Sequence, residues 1–142
     1  MIIERTDMER VAREFLETLS PGEQATVVAL SGDLGAGKTT FTQSFAQALG
    51  VTHQIQRPTF NLMKIYTTAH KMFHTLVHID AYRFDSPEEL VRLGWQEILA
   101  DPRTIICLEW PERVASIIPI TAKNITLEHV DEGKRRIVIS TK

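Results

Sequence analysis

The chain has 142 residues, with 16 lysine and arginine side chains, 18 aspartate and glutamate side chains and a formal net charge of -2. This length suits a single domain over residues 1–142 with a core of its own, and the balanced charge excludes a globally basic surface for nucleic acid or an anionic membrane. The single cysteine, Cys107, excludes an internal disulfide, and no apolar run reaches the length of a membrane span. We therefore expect a cytoplasmic protein, since the opening residues also lack the unbroken apolar core of a secretory signal.

The first half of the chain predicts a strand, a glycine-rich loop and a helix in succession. Residues 2–3 suit a short edge strand, and Asp7 suits the cap of a helix whose apolar residues recur at helical spacing. Residues 26–32, TVVALSG, form a β-branched run bounded by turn residues, which is typical of a buried parallel strand. Helical spacing returns over residues 38–49, and Gly50 ends that segment.

The second half predicts further strands with short helices between them. Residues 61–84 are rich in strand formers at both ends and predict two antiparallel strands with a loop around residues 67–71. SPEELVRLGWQEIL predicts one or two short helices interrupted at Gly94. Three later segments are a buried strand at TIICLEW, a short helix between two prolines at PERVASIIP, and a hairpin made of NITLEHV, DEGK and RRIVIST. The expected fold is α/β, a mixed sheet with helices on its faces.

The stretch GDLGAGKTT fits the phosphate-binding pattern G-x-x-x-x-G-K-[ST] and lies between the predicted strand and helix, so a P-loop NTPase-like fold is expected. Gly35 and Gly37 let the backbone turn its N–H groups toward phosphate oxygens, and the helix N-terminus adds partial positive charge. Lys38 reaches the β and γ phosphates, and the Thr39 hydroxyl ligates Mg²⁺. ATP is favoured over GTP because no N-K-x-D stretch is present. The residues expected around the nucleotide are Gly32, Asp33, Leu34, Gly35, Ala36, Gly37, Lys38, Thr39 and Thr40.

Two predicted strands end in a carboxylate, Asp80 in HIDAYR and Glu109 in LEWPE. Both would lie at the carboxyl edge of the sheet beside the P-loop, where either could hold Mg²⁺ or its water, or orient an attacking water. The simpler alternative for each is a solvated strand end. We assign Glu109 to Mg²⁺ and Asp80 to positioning of the water.

Two further groups of residues favour a simpler interpretation. His70, His74 and His78 are spaced by four, but residues four apart in a strand are separated by about 13 Å, too far to share one metal ion. GKRR, residues 133–136, could contact RNA phosphates but is more typical of a solvated hairpin end.

Taken together, GDLGAGKTT, RPTF, HIDAYR, LGWQEIL and LEWPE, in this order, resemble the TsaE family, also called YjeE. These are bacterial P-loop ATPases needed to make N6-threonylcarbamoyladenosine (t6A) in tRNA, and the resemblance spans about residues 31–112. It implies a weak ATPase that binds ATP and Mg²⁺ and is stimulated in a complex with the TsaB and TsaD proteins. Whether tRNA contacts this chain is left open.

By position, the resemblance assigns Lys38 and Thr39 to phosphate and Mg²⁺, and places Thr59 in a switch-like loop. Asp80, Glu109 and Trp110 match the other functional positions of the family, with Trp110 at the mouth of the nucleotide site or simply buried. The family usually has serine where this chain has Arg57 in RPTF. Arg57 would lie near the γ phosphate or, more simply, point to solvent.

Two other functions fit a P-loop. A small-molecule kinase uses the same phosphate cradle, although it usually needs an arginine-rich lid and SPEELVRLGWQEIL offers only Arg92. A non-enzymatic module could use the nucleotide only as a conformational switch.

Overall fold

The computed structural model describes residues 1–33, 35–55 and 62–141, and these form one mixed β-sheet with helices on both faces. The expected α/β class is therefore confirmed. In the described residues the strands are β1 (Ile2–Glu4), β2 (Thr26–Ser31), β3 (Val51–Ile55), β4 (Met63–Thr68), β5 (Thr75–Asp80), β6 (Thr104–Glu109), β7 (Lys123–Asp131) and β8 (Lys134–Thr141). Their order across the sheet is β1-β8-β7-β2-β6-β5-β4-β3.

The centre of the sheet is parallel and its margins are antiparallel. Strand β2 runs parallel to both β6 and β7, and β5 runs parallel to β6. Every residue of β6 is buried, as expected for a strand that is covered on both faces. Because β2, β5 and β6 are parallel, the loops that follow them meet at one edge of the sheet, where ligands bind in open α/β folds.

Helices cover the two faces of the sheet and enclose two apolar cores. The helices are α1 (Met8–Glu17), α2 (Lys38–Leu49), α3 (Pro87–Arg92) and α4 (Trp95–Leu99), with a 3₁₀ helix at Pro111–Ile117. On one face α1 packs on α2, where the ring centroid of Phe15 lies 6.2 Å from that of Phe41 and 5.9 Å from that of Phe45. On the other face Trp95 of α4 is buried, and its indole N–H donates a hydrogen bond to the carbonyl of Ile117 at 3.2 Å. No helix in the described residues has the length and apolar character needed to cross a membrane.

The structure departs from the expected elements in three places. Strand β3 was not predicted, because its sequence VTHQI has three polar residues and it pairs only at the margin of the sheet, with β4. The segment between the two prolines is a 3₁₀ helix with a kink at Val114. Asp7 is at the predicted cap position of α1, but its carboxylate accepts the backbone N–H of Glu4 at 3.0 Å rather than one from α1.

Candidate functional site

The glycine-rich loop connects the end of β2 to the start of α2, as the phosphate-binding pattern requires. Gly35 and Gly37 have φ angles of 81° and 107°, so the positive φ values expected at these positions are present. Gly32 has a different function, since a Cβ at this position would lie 2.3 Å from the carbonyl oxygen of Leu127 in β7. Gly32 is thus required by strand packing as well as by its own φ of 147°, and Gly35 and Gly37 are required by loop conformation.

An open cavity of about 280 Å³ lies beside this loop at the carboxyl edge of the sheet. It brings together eight of the predicted site residues, which are Gly35, Gly37, Lys38, Thr39, Thr40, Asp80, Glu109 and Trp110. Three other predicted residues, Gly32, Asp33 and Ala36, do not line it; Ala36 is buried beneath the loop and Asp33 is exposed. Leu34, Arg57 and Thr59 lie outside the described residues.

The two predicted carboxylates are neighbours across the parallel pair β5 and β6, where Asp80 is the register partner of Glu109. Asp80 is exposed, and its Oδ1 accepts the backbone N–H of Tyr82 at 3.0 Å. Glu109 is only 5% exposed. Its Oε2 is 2.6 Å from Nε2 of His78, a contact that could not be predicted from the sequence. One carboxylate of the site is therefore exposed to water, and the other is buried and paired.

Lys38 is buried and engaged on two sides. Its Nζ lies 3.5 Å from the ring centroid of Trp110 and donates a hydrogen bond to the carbonyl of Gly32. Burial lowers the pKa of Lys38 below its usual value, while the surrounding carboxylates, Glu109 first among them, act in the opposite direction. The ammonium group is thus partly desolvated, and the carboxylates around it favour its charged form.

Trp110 adopts a backbone conformation that side chains rarely take. Its φ is 60° and its ψ is 53°, the left-handed region, and it is the one residue other than glycine with positive φ in the described residues. Its ring also contacts Tyr82, with 4.9 Å between centroids. Strained residues of this kind concentrate at binding sites, so this conformation favours a functional position for Trp110 over a simple core position.

Four residues of the cavity were missed by the sequence analysis, namely Arg5, Met8, Tyr82 and Arg135. Arg135 belongs to the basic turn GKRR, which was expected to be a solvated hairpin end. Instead its Nε is buried without a hydrogen-bond partner among the described residues, 3.7 Å from where a Cβ on Gly37 would be. Its Nη1 donates to the carbonyls of Asp131 and Lys134 at 2.8 and 2.9 Å. The pairing of β1 with β8 brings this hairpin to the P-loop. This pairing joins distant parts of the chain, so the basic residues of GKRR were the only sequence signal for Arg135 at the site.

Two of the histidines spaced by four, His70 and His78, make unrelated contacts. Nδ1 of His70 accepts the backbone N–H groups of Met72 and Phe73, at 3.1 and 3.2 Å, and so shapes the loop between β4 and β5. His78 pairs with Glu109 in the site, as described above. No group of three or more potential metal-ligating side chains of this kind is found in the described ranges.

The family model for TsaE, described as threonylcarbamoyl adenosine biosynthesis protein TsaE, matches residues 2–137. The chain belongs to the TsaE family. It is similar to the curated TsaE of Rickettsia bellii, with 37% identity over 91% of this chain and 85% of that protein. It is also similar to TsaE of Treponema pallidum, with 40% identity over 83% of this chain and 84% of the relative. Both relatives are named tRNA threonylcarbamoyladenosine biosynthesis proteins.

Among solved structures, the chain is similar to Bacillus subtilis YdiB. The TM-score is 0.74 and the sequence identity is 27%, covering 99% of this chain and 83% of that one. The chain therefore shares the fold of a known crystal structure, and the resemblance noted in five short motifs extends over nearly the whole chain.

Proposed function

We propose that this protein binds ATP with Mg²⁺ and hydrolyses it in support of t6A formation in tRNA, in a complex with the TsaB and TsaD proteins. The observation that carries the proposal is the cavity in which the P-loop lysine, Lys38, meets two carboxylates from adjacent strands, Asp80 and Glu109. A cation for the phosphates and acids for the metal are the parts that phosphoryl transfer to water requires. Membership of the TsaE family supplies the biological setting.

The residues in the cavity fit a magnesium-bound triphosphate. The Thr39 hydroxyl and the carboxylates of Asp80 and Glu109 are hard oxygen donors lining one space, the ligand type that Mg²⁺ prefers. Arg135 contributes a second cation whose buried Nε lacks a partner among the described residues, as expected where an anion belongs. Bound Mg²⁺ would neutralise charge on the β and γ phosphates.

In the proposed assignment, Lys38 binds the β and γ phosphates, Thr39 and Glu109 hold Mg²⁺ or its water, and Asp80 orients the attacking water. Glu109 suits the metal because the hydrogen bond to its Oε2 fixes its position, whereas exposed Asp80 has the freedom to accept a proton from water. Thr59 is assigned to the phosphate-sensing loop by its family position alone.

A kinase is less well supported. The segment that would have to provide an arginine-rich lid forms α3 and α4, which pack on the core of the opposite sheet face from α2. The helix that begins at the P-loop and the would-be lid are therefore on different sides of the molecule. Product analysis separates the two functions, because a kinase yields ADP and a phosphorylated acceptor, whereas an ATPase yields ADP and free phosphate.

The decisive experiment measures phosphate release from Mg-ATP by the purified protein alone and then with TsaB and TsaD of the same organism. We expect slow release alone and strong stimulation in the mixture. Lys38→Ala should lower the stimulated rate by about a hundredfold, because it removes a charge aimed at the transferred phosphoryl group. Lys71→Ala, an exposed lysine in the loop between β4 and β5, is the matched control and should retain the rate. No stimulation by the partners together with tight ATP binding would instead favour a kinase.

A further inference from the structure

His78 contacts Glu109 of the candidate site directly, and it has no part in the proposed function as stated above. It lies in β5, and its register partner in β6 is Cys107, two residues before Glu109. Alternate residues of a strand share a face, so His78 lies on the same side of the sheet as Glu109 and diagonally across from it. Its Nε2 is 2.6 Å from Oε2 of Glu109, a short hydrogen bond.

The pair marks the point where the core ends and the cavity begins. Along this face, the preceding residues of the two strands are Leu76 in β5 and Ile105 and Cys107 in β6, all fully buried. The next positions toward the edge are His78 and Glu109, whose side chains are 18% and 6% exposed. A carboxylate so deeply buried needs a partner, and the imidazole provides it.

The hydrogen bond from His78 also restricts the orientation of the Glu109 carboxylate. Glu109 lines the cavity beside Lys38 and Thr39. A carboxylate held at one oxygen has its rotation fixed, and its other oxygen remains available to a ligand. Hydrogen bonds of this kind to metal-binding side chains orient them and typically change metal affinity or activity by about 10- to 100-fold.

We propose that His78 is a positioning residue for the metal: its Nε2–H holds Oε2 of Glu109 so that Oε1 is presented to the Mg²⁺ that accompanies the nucleotide. The proposal rests on the proposed function, because it assumes a metal and nucleotide in this cavity. It assigns to His78 no contact with nucleotide or metal, and it requires only that the imidazole carry a proton on Nε2.

The test measures metal binding directly. The protein–ADP complex is titrated with Mn²⁺ in place of Mg²⁺, and free Mn²⁺ is followed by its electron paramagnetic resonance signal. His78→Leu removes the donor while keeping an apolar side chain of similar bulk, and His78→Gln provides an amide N–H at about the reach of Nε2. In parallel, the affinity for ADP is measured in the presence of EDTA for all three proteins.

We expect His78→Leu to weaken Mn²⁺ binding by about tenfold or more and His78→Gln to recover most of it. ADP affinity in EDTA should be the same in the three proteins, because His78 is proposed to act through the metal ligand alone. Unchanged Mn²⁺ affinity in His78→Leu would overturn the proposal. So would equal losses of Mn²⁺ and ADP affinity, which indicate general damage to the site, or a failure of His78→Gln to recover binding.

The same titration separates this proposal from the proposed function. A wild-type protein that binds ADP and Mn²⁺ while His78→Leu binds both equally well leaves the proposed function intact and removes only the role of His78. A wild-type protein that binds no ADP contradicts the proposed function, and the role of His78 with it.

Discussion

The indole of Trp110 lies against the Lys38 ammonium group, to which the proposed function assigns the β and γ phosphates. The lysine Nζ is 3.5 Å from the ring centroid, and cation–π contacts of this kind are worth about 0.5–2 kcal/mol. A bound triphosphate offers Lys38 full negative charges, which are stronger partners than an aromatic face. Under the proposed function, nucleotide binding should therefore displace Trp110 from the ammonium group.

This displacement predicts a change in the fluorescence of Trp110 when nucleotide binds. The other tryptophan, Trp95, is fully buried with its indole N–H bonded to the carbonyl of Ile117, and it does not line the cavity, so it should report little. We expect Mg-ADP to alter tryptophan emission in the wild type and to leave it almost unchanged in Trp110→Phe. Retention of the full change in Trp110→Phe would show that the signal arises at Trp95 and that Trp110 does not move.

Glu109 gives a second prediction at this scale. Glu109→Gln removes a negative charge but retains a side chain of the same shape, so the fold should survive. We expect Mg²⁺-dependent phosphate release to fall by about tenfold or more, while ATP binding without metal is retained or strengthened because a carboxylate no longer repels the phosphates. An unchanged rate at saturating Mg²⁺ would exclude Glu109 from the metal site.

At the scale of elements, the β7–β8 hairpin brings one side chain, Arg135, to the cavity. Strand β1 pairs with β8 through Ile2 and Arg136, and the N–H of Arg5 bonds to the carbonyl of Gly133 at 2.8 Å, so the hairpin end is fixed beside the P-loop. Arg135 is thereby held with its guanidinium against Gly37. A side chain placed by these contacts can bind an anion with little loss of conformational entropy.

We predict that Arg135→Ala lowers the affinity for ADP by about tenfold, the usual cost of one hydrogen bond to a charged group. Arg135→Lys should recover part of this loss, because it restores the charge without the planar fork. Binding is measured by calorimetry, with thermal unfolding of each variant as the control for the two hydrogen bonds that Arg135 also makes within the hairpin. Equal affinity in the wild type and Arg135→Ala would place this guanidinium outside the nucleotide site.

Local sequence patterns were sufficient for most of the fold and for part of the site. The spacing of Lys38 after Gly37, and the carboxylates that end two apolar strands, could be read from consecutive residues. The contact of His78 with Glu109 depends on the register of β5 against β6, and the position of Arg135 depends on the pairing of β1 with β8. Register and strand order are set by packing over the whole sheet, so neither contact left a local signal.

At the scale of the whole molecule, the cavity is built from segments spread along the chain. Its lining comes from the start of α1, the P-loop, the ends of β5 and β6, and the β7–β8 hairpin. A ligand that contacts all of these binds the folded state and has no comparable site in the unfolded chain. Nucleotide binding should accordingly be coupled to global stability.

We predict that Mg-ADP at about a hundred times its dissociation constant raises the melting temperature by several degrees, since such an excess contributes about 2.7 kcal/mol. AMP lacks the β phosphate that Lys38 is proposed to bind, so it should raise the melting temperature much less. The comparison is made by scanning calorimetry, with Lys38→Ala as the control that should lose the difference. Equal shifts with ADP and AMP would contradict binding through the phosphates.

The pairing of β1 with β8 has a consequence for how the protein acquires its binding capacity. Ile2 and Arg136 are paired although almost the entire chain separates them in sequence. Strand β2 pairs with β6 and β7, which also come much later in the chain. Contacts between residues so far apart in sequence form slowly, because the entropy of closing a large loop is lost before the contact energy is gained. During refolding, recovery of helical signal should therefore precede recovery of nucleotide binding, because binding requires that β1 has already paired with β8.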